Sequence, residues 1–570
     1  MENSGIADTL DRIADLLEIR DANPFKIRSY RNAARTVRDL PERIEYKAEN
    51  KSTLKELPGI GESIAEQIRE IVQTGHSKKL DAITQDIPAG VCDIMDVPGV
   101  GSKKAKQLYT VLDIRSLDDL RDAVKQHKIR DLKGMGKQTE ENIRRGIQTI
   151  SNLSGRMLIN DAMQHCIGIW KYLDSLETVN KFRAAGSLRR RKETIGDLDF
   201  ILLSENREQT SKGLIQYPEV RDVIGRGKEK VSVRLESGIQ VDFRFFDDKS
   251  FGAALLYFTG SKSHNIALRS LAQEKEYKIN EYGLFEGKKR LAGKHESDVY
   301  KQLGLSYIPP ELREDRGEID AAADHDLPEL VAEDDIRGEL HSHTNKTDGA
   351  DTLKDMAEAA RKRGQEYIAV TNHSQAVSVT SGLTDSQVGE YHKKLRTYAQ
   401  NHEKPTIISG IEVDILEDGS LDLSSKTLEM LDWVTASIHS HFDQDEQQTT
   451  ERYVRAIESG LVDCISHPLG RQIGKRDPLR MNFERVLEAC LENRVALEIN
   501  SYPNRLDLPD VYCRRAKEAG VKIAVTTDAH KTSDLDFMKY GVHTARRGWL
   551  EKADVLNTKT AKQLMQYLRK

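Results

Sequence analysis

Two aspartates separated by one residue, Asp197 and Asp199, stand within an apolar run over residues 195–203. A run of this length predicts a β-strand, and residues i and i+2 of a strand point to the same face. Two carboxylates held side by side repel each other unless a cation lies between them. Mg²⁺ and Mn²⁺, hard cations with oxygen ligands, suit such a position. A D-x-D pair alone is weak evidence, because it also occurs on exposed strand edges that bind nothing.

Two further features make a binding site the better interpretation. Gly186-Ser187, ten residues upstream, predicts a turn whose backbone N–H groups and hydroxyl can hold phosphate oxygens, and Arg190 adds positive charge nearby. Asp242 lies in an alternating run over residues 239–245, which predicts a neighbouring strand. A phosphate-binding turn beside three carboxylates that hold two metal ions is the equipment of nucleotidyl transfer.

These motifs resemble the palm of the family X DNA polymerases, within the nucleotidyltransferase superfamily. Residues 257–261, Tyr-Phe-Thr-Gly-Ser, are similar to that family's signature for the sugar of the incoming nucleotide. The resemblance implies that Asp197, Asp199 and Asp242 are catalytic and hold Mg²⁺ or Mn²⁺, while a primer 3′-hydroxyl attacks the α-phosphate of a dNTP. It also implies a nucleotide-binding set: Gly186, Ser187, Arg190, Tyr257, Phe258, Gly260, Asn265 and Arg269.

A glycine-containing pentapeptide occurs three times upstream of the palm, at residues 57–61, 97–101 and 132–136, and each copy leads into a helical pattern. The glycines let the backbone approach a phosphate, and a helix N-terminus carries partial positive charge. The repeats resemble helix-hairpin-helix motifs, which bind DNA backbone without reading sequence. The DNA-binding positions implied are Gly59, Gly61, Gly99, Gly101, Gly134 and Gly136.

One position departs from the family's pattern. Repair members carry a lysine in the helix after the first hairpin, and this lysine forms a Schiff base with an abasic sugar. Alignment on residues 57–61 places Gln67 there, and glutamine cannot form a Schiff base. We therefore expect no lyase activity of this type unless another lysine, such as Lys26 or Lys55, substitutes for it.

The chain beyond residue 337 shows a second pattern, in which short apolar runs alternate with helical segments and nearly every run ends in a metal-type ligand. Alternating β and α elements with functional groups at strand ends predict a βα barrel. The pattern resembles the PHP domain (polymerase and histidinol phosphatase), a distorted seven-stranded βα barrel with a trinuclear metal site. The resemblance implies nine ligands: His341, His343, Asp348, His373, Glu412, His439, His467, Asp528 and His530. Such a set favours Mn²⁺, Zn²⁺ or Fe²⁺, up to three ions.

Length and composition indicate a multidomain protein, and the net charge of −5 does not by itself suggest a nucleic-acid partner. A chain of 570 residues is too long for one core, and no stretch is long and apolar enough to span a membrane. Five scattered cysteines without a C-x-x-C pair indicate a reducing compartment, and we expect a cytoplasmic monomer. Residues 1–316 contain 54 Lys and Arg against 49 Asp and Glu, whereas the remainder is acidic. The acidic part can still handle phosphates if metal ions supply positive charge.

The predicted fold class is a multidomain α+β and α/β protein, with helical helix-hairpin-helix modules, a nucleotidyltransferase palm with a mixed sheet, and a C-terminal distorted (β/α)7 barrel. The predicted domains are a helical DNA-binding domain over 1–85, a helix-hairpin-helix subdomain over 86–150, the palm over 151–245, a nucleotide-selection subdomain over 246–316, a solvated acidic linker over 317–336 and the PHP domain over 337–570.

The predicted function is template-directed filling of short gaps in DNA during base excision repair, with metal-dependent 3′→5′ exonuclease activity in the PHP domain. The expected partners are gapped or primer-template DNA and dNTPs. The sequence leaves cleavage at abasic sites open. Three alternatives remain: a PHP-type phosphatase with a DNA-targeting appendage, a DNA-end binding module with vestigial catalysis, and a template-independent transferase on the same fold.

Overall fold

The computed structural model describes the chain except for residues 1–2, 21, 40–43, 49–50, 56, 58, 85–86, 89, 96, 98–99, 151–155, 378–379, 474–475, 477 and 569–570. The chain forms two compact units, residues 1–155 and 156–570. This division lies close to the predicted boundary before the palm, while the finer boundaries stay predictions. Among the described residues, no helix is both long and apolar enough to cross a membrane.

The described part of the first unit is helical. Its apolar helix faces form two cores, one within residues 6–92 and one within residues 94–147. The helices are α1 (Asn3–Ile19), α2 (Pro24–Asp39), α3 (Ile44–Ala48), α4 (Lys51–Lys55), α5 (Glu62–Thr74), α6 (Lys78–Thr84), α7 (Gly90–Met95), α8 (Ser102–Leu112), α9 (Leu117–Lys125) and α10 (Lys137–Ile150).

The three glycine pentapeptides open helices, as predicted. Helices α5, α8 and α10 each begin one residue after the last glycine of a pentapeptide. The apolar residue between the two glycines of each pentapeptide is buried: Ile60, Val100 and Met135. Gly59 and Gly134 have φ angles of +77° and +81°, in the left-handed region that favours glycine. Gly99, the equivalent residue of the second hairpin, lies outside the described residues.

The second unit begins with a palm built on a five-stranded sheet in the order β2-β4-β7-β6-β5. Only β4 and β7 are parallel neighbours, so the sheet is mixed, as predicted, and Asp199 lies opposite Asp242. The elements are β1 (Met157–Leu158), α11 (Ile159–Ser175), β2 (Lys181–Ala184), α12 (Gly186–Arg189), β3 (Thr194–Ile195), β4 (Asp197–Leu203), α13 (Arg207–Leu214), β5 (Val220–Arg226), β6 (Lys230–Leu235) and β7 (Gln240–Phe245).

The subdomain that follows packs two helices against a small antiparallel sheet in the order β10-β9-β8. Helix α14 is largely buried, because six apolar or glycine residues and Thr259 of its nine residues lie inside. The elements are α14 (Phe251–Thr259), α15 (Lys262–Glu274), β8 (Tyr277–Asn280), β9 (Gly283–Glu286), β10 (Lys289–Ala292) and α16 (Glu296–Gln302).

Residues 317–336, which we expected to form a solvated linker, are packed. Glu318, at the start of α17 (Glu318–Ala323), is fully buried, and its carboxylate lies 2.6 Å from His264 Nδ1. Ala322 belongs to the core around α14–α16, and Val331 belongs to the core of the C-terminal domain. The prediction of a solvated linker is therefore wrong for Glu318, Ala322 and Val331, which find partners on elements distant in sequence, while half of the segment is exposed to solvent.

The C-terminal domain is a seven-stranded parallel barrel, as predicted. Its strands follow chain order, and a parallel bridge between Ser342 and Ala529 joins the two outermost strands. The strands are β11 (Gly338–Glu339), β12 (Tyr367–Val370), β13 (Thr406–Asp414), β14 (Trp433–Ser437), β15 (Cys464–Ile465), β16 (Ala496–Asn500) and β17 (Ile523–Thr526). The helices are α18 (Leu353–Lys362), α19 (Asp385–Asn401), α20 (Ser425–Leu428), α21 (Glu446–Glu458), α22 (Phe483–Asn493), α23 (Asp510–Ala519), α24 (Met538–Arg547) and α25 (Ala561–Leu568).

Barrel and palm share a core. Leu506 and Tyr540 of the barrel are buried in the same apolar cluster as Phe200 and Phe243 of the palm sheet. The two domains therefore form one compact unit rather than separate bodies on a tether.

A buried carboxylate closes the barrel. Glu339, at the end of β11, accepts hydrogen bonds from the N–H groups of Leu340 and His341, and from both the N–H and the hydroxyl of Thr527 beyond β17. Burial raises the pKa of Glu339 to about 7, although these hydrogen bonds work against the rise.

Replacing Glu339 should therefore loosen the barrel closure. We expect Glu339→Ala to lower the free energy of unfolding by about 3 kcal/mol, because it leaves several buried donors unpaired. Thr527→Val removes one donor and should cost about 1 kcal/mol. Calorimetry of the full chain measures both, and an equal effect of the two substitutions would contradict the role given to Glu339.

Candidate active sites

One cavity of about 660 Å³ lies where palm and following subdomain meet. Strand β4, helix α12 and the junction of α14 with α15 supply its wall. The wall contains both aspartates of β4, Asp197 and Asp199, and the complete predicted nucleotide-binding set: Gly186, Ser187, Arg190, Tyr257, Phe258, Gly260, Asn265 and Arg269. Residues that lie up to 83 positions apart in sequence, Gly186 and Arg269, are thus gathered around one space large enough for a nucleotide.

The pKa values of both aspartates of β4 are raised above the usual value. Burial and the neighbouring Asp197 raise the pKa of Asp199 to about 7. Burial, with a contribution from Asp242, also raises the pKa of Asp197. A divalent cation between the two carboxylates would relieve this repulsion, so the pair fits the predicted metal.

Asp242 lies next to Asp199 but is held by cations and is absent from the cavity wall. Lys230 Nζ lies 2.6 Å and Arg244 Nη2 lies 3.2 Å from Asp242 Oδ2, and Arg244 Nε lies 3.7 Å from Asp199. Burial would raise the pKa of Asp242, but hydrogen bonds, first that of Lys230, hold it below its usual value. A metal role for Asp242 would require it to exchange these contacts.

Helix α12 and the residue after it place Ser187 and Arg190 at the cavity, where the Ser187 hydroxyl has no hydrogen-bond partner among the described residues and Arg190 has several. Ser187 Oγ is buried and has no hydrogen-bond partner in the described part of the chain, which suits it to contact a phosphate oxygen. Arg190 is engaged, because its Nε lies 3.1 Å from Glu314 Oε1 and its Nη1 donates to the carbonyl of Thr259.

Glycine is required at position 186. Gly186 has a φ of +61°, and a Cβ atom there would lie 2.7 Å from Asp199 Oδ2. A side chain at this position would push the Asp199 carboxylate out of its place and would adopt a strained backbone conformation. Further along the wall, Asn265 Nδ2 donates to the carbonyl of Tyr257 at 2.7 Å, which fixes one predicted nucleotide-binding residue against another.

Three cations in the cavity wall were not identified from the sequence: Arg156, Lys192 and Lys262. Burial lowers the pKa of Lys192, although Glu314 opposes this shift. Lys192 directly follows three arginines and could have been recognised from that position. Arg156 carries no such signal, because it lies thirty residues before the Gly-Ser turn.

The nine predicted barrel ligands converge at the C-terminal ends of the strands. Three groups of ligand atoms each lie within 4.8 Å of one another: His343 with Asp348, His373 and His530; His341 with His343 and Asp528; and His373 with Glu412 and His439. The ninth residue, His467, has Nε2 3.1 Å from Glu412 Oε1. Because His343 and His373 each belong to two groups, the cluster is continuous and suits up to three ions. Glu412 lies inside β13 rather than after it.

Two of the ligands, His343 and Glu412, are held in the form that binds metal. Burial, with His530 and His373, lowers the pKa of His343 to about 3, so its imidazole is neutral. Burial would raise the pKa of Glu412, but the surrounding histidines hold it well below its usual value. His343 Nδ1 is buried without a hydrogen-bond partner among the described residues, and Glu412 Oε2 lies 2.9 Å from His373 Nδ1. Neutral imidazole and ionised carboxylate are the forms that ligate Mn²⁺, Zn²⁺ or Fe²⁺. Burial would lower the pKa of His373 and His530, but neighbouring carboxylates raise it to about 10 and about 9, so a bound metal would have to displace these protons.

Two carboxylates behind the ligands orient them. Glu498 Oε1 lies 2.6 Å from His341 Nδ1, and Glu498 Oε2 accepts from the N–H of His467 at 2.6 Å. Asp414 Oδ1 lies 3.0 Å from His439 Nδ1. Such partners fix the tautomer and direction of a ligating imidazole. Glu498 was not identified as a site residue from the sequence, where its signal is a carboxylate within an otherwise apolar strand.

Comparisons with known proteins match separate families to the N-terminal, middle and C-terminal parts of the chain. Family models match for the helix-hairpin-helix domain at residues 1–77, the SAM-like helix-hairpin-helix tandem at 93–149, the DNA polymerase beta thumb at 254–314 and the PHP domain at 339–502. The chain is 35% identical over 574 residues to DNA polymerase/3'-5' exonuclease PolX of Bacillus subtilis (strain 168), covering 100% of both. This chain belongs to the family X DNA polymerases with a C-terminal PHP domain. The PHP match ends before β17, so Asp528 and His530 join the cluster from beyond it.

Other relatives match shorter parts of this family X chain. A probable phosphatase of Thermoanaerobacter sp. (strain X514) is 31% identical over 242 residues, which are 40% of this chain and 94% of that protein. DNA polymerase lambda of Rattus norvegicus is 27% identical over 290 residues, 45% of this chain and 48% of that protein.

The opposite pKa shifts of the palm carboxylates predict opposite effects on stability at pH 8 in EDTA. The folded-state pKa of Asp199 is above its unfolded value, so its charge disfavours folding increasingly as the pH rises from about 4 to above 7. Asp199→Asn should therefore stabilise the protein, by on the order of 2 kcal/mol, and the gain should shrink toward pH 4.

Asp242→Asn is the matched comparison. The folded-state pKa of Asp242 is below its unfolded value, so the charge of this carboxylate stabilises the fold above about pH 4. The substitution should therefore lower the melting temperature at pH 8. Thermal unfolding of both variants at pH 8 and pH 5 measures the difference. Melting temperatures that move in the same direction at pH 8 would refute the electrostatic account.

Proposed function

We propose that this protein fills short gaps in DNA by template-directed polymerisation during base excision repair, and that its PHP domain removes nucleotides from DNA 3′ ends. One observation carries the polymerase proposal: the single cavity that gathers the whole predicted nucleotide-binding set around Asp197 and Asp199. The full-length similarity to a protein named as a DNA polymerase and 3′→5′ exonuclease supports both activities.

In the palm, the wall residues would divide the work of nucleotide binding. Ser187, Arg190 and Lys192 would hold the triphosphate, while Tyr257 and Phe258 pack under the sugar. Mg²⁺ or Mn²⁺ at the carboxylates would lower the pKa of the primer 3′-hydroxyl and neutralise charge on the phosphates. Asp197 and Asp199 would hold the primer end and the α-phosphate in line, with Asp242 completing the set once it is released from Lys230.

In the barrel, the nine-ligand cluster would carry phosphodiester hydrolysis. Ions such as Mn²⁺, Zn²⁺ or Fe²⁺ at this cluster would activate a water and stabilise the leaving oxygen. Glu498 and Asp414 would keep His341 and His439 in the ligating tautomer. Cleavage of DNA at abasic sites would use the same residues and belongs to the same proposal.

The glycine hairpins would hold the DNA backbone. Gly61, Gly101 and Gly136 are exposed, and apart from their chain neighbours no atom of the described residues lies within 4 Å of where a Cβ would stand on each of them. A phosphate could therefore approach these backbone N–H groups closely. Gln67 is partly buried and its Oε1 accepts from Ser77 Oγ at 3.3 Å, so the proposal includes no Schiff-base lyase at this position. A monomeric state and a cytoplasmic location stay predictions.

A phosphatase acting on small monoesters is the second candidate, and the similarity to probable phosphatases favours it. It would use the barrel alone and leave the palm cavity without a role. The intact palm site argues for the polymerase.

A primer-extension experiment separates these functions. On a one-nucleotide gap with a 5′-labelled primer and Mn²⁺, wild type should extend the primer when dNTPs are present and shorten it when they are absent. Asp197→Ala/Asp199→Ala should reduce extension at least about 100-fold and spare shortening, because only the palm site is changed. His341→Ala/His343→Ala should do the reverse.

Two controls complete the experiment. Omitting the template strand should stop extension, and extension without it would favour a transferase. Release of phosphate from small monoesters without nucleotide release from DNA would favour the phosphatase. Shortening that survives in the histidine variant would place the exonuclease outside the barrel.

A further inference from the structure

We propose that Arg547, which belongs to the barrel, is a positioning residue of the nucleotide cavity in the palm. The proposal rests on the polymerase function proposed above. Arg547 is the last residue of α24, and its side chain is only 4% exposed. Its guanidinium lies at the boundary between barrel and palm, where it contacts carboxylates and a main-chain carbonyl.

The contacts of Arg547 lead directly to a cavity residue. Its Nη1 donates to the main-chain carbonyl of Arg190 at 2.7 Å and lies 3.0 Å from Glu314 Oε1. The same Glu314 oxygen lies 3.1 Å from Arg190 Nε. Arg547 therefore supports Arg190 twice, through the main chain and through the carboxylate that both arginines share.

Contacts beyond these two residues connect the barrel with the cavity wall. Arg547 Nη2 lies 2.5 Å from Oδ2 of Asp510, the first residue of α23, and Asp510 also lies 3.2 Å from Arg316. At the other end, Arg190 donates to the carbonyl of Thr259, directly before the wall residue Gly260. A continuous series of charged contacts thus runs from a barrel helix to the residues that border the nucleotide.

Removing Arg547 should displace Arg190 rather than separate the domains. Glu314 would keep Arg190 as its neighbour but lose a second cation, so the pair could shift within the boundary. The domains would stay docked, because Arg471 Nη2 still contacts Glu193 at 2.6 Å and Leu506 stays in the palm core. Asp197 and Asp199 are not touched, so the expected loss is in dNTP binding and not in the chemical step.

Single-nucleotide gap filling by the full-length protein tests this inference. Arg547→Ala should raise the KM for dNTP about tenfold and change kcat less than about threefold. Arg546→Ala is the matched control: Arg546 precedes it on α24 and contacts Glu311 Oε1 at 2.9 Å and the carbonyl of Val331, but it does not reach Arg190. It should leave the KM unchanged.

A double substitution tests whether the effect passes through Arg190. If it does, Arg547→Ala should add much less to the KM in an Arg190→Ala background than in wild type. Effects that multiply would overturn the inference, as would an unchanged KM in Arg547→Ala or an equal rise in Arg546→Ala. A parallel loss of kcat, exonuclease rate and melting temperature would show a merely structural role and also overturn it.

Failure of the proposed function has a different signature. If wild type extends no primer under any condition, the polymerase proposal falls and this inference falls with it. If wild type extends and only the variants disagree, the inference alone is wrong.

Discussion

A buried carboxylate needs a cation beside it, either a basic side chain or a metal ion, and the second unit depends on such pairs. Glu296 lies between Arg189 and Arg313, with contacts of 2.6 Å to each. Burial would raise the pKa of Glu296, but these arginines lower it to about 2. Both proposed active sites obey the same rule, since each concentrates ionisable groups that the fold can keep buried only with compensation. The same kind of interaction, a buried charge with a compensating partner, therefore stabilises the fold and shapes both proposed active sites.

The sequence predicted the ligand cluster because its signal is local. In a parallel barrel, the strand ends meet on one face, so a residue such as His373, placed just after an apolar run, must point toward the others. The palm was predictable for a similar reason, since Asp197 and Asp199 share one strand and Gly186 lies close before them. The order of the elements predicted a βα barrel, and the resemblance to known families supplied the rest of the fold class.

The features that the sequence did not reveal depend on partners far away in the chain. Glu318 belongs to a stretch whose acidic composition is typical of solvated linkers, yet it is buried against His264. Composition cannot show that an acidic side chain has such a partner. Arg156 and Arg547 are similar cases, because each reaches its site from a helix or strand boundary that carries no motif. Asp242 was placed correctly beside Asp199, but its contact with Lys230 follows from the register of β6 on β7, which the sequence does not give.

The shared core of palm and barrel has a consequence for any attempt to separate the two parts. A barrel that stands alone in water must cover its outer surface with side chains that water tolerates, whereas this barrel presents Leu506 and Tyr540 to the palm. Cutting the chain between palm and barrel would expose these side chains and their apolar partners in the palm, so each part alone would be prone to self-association.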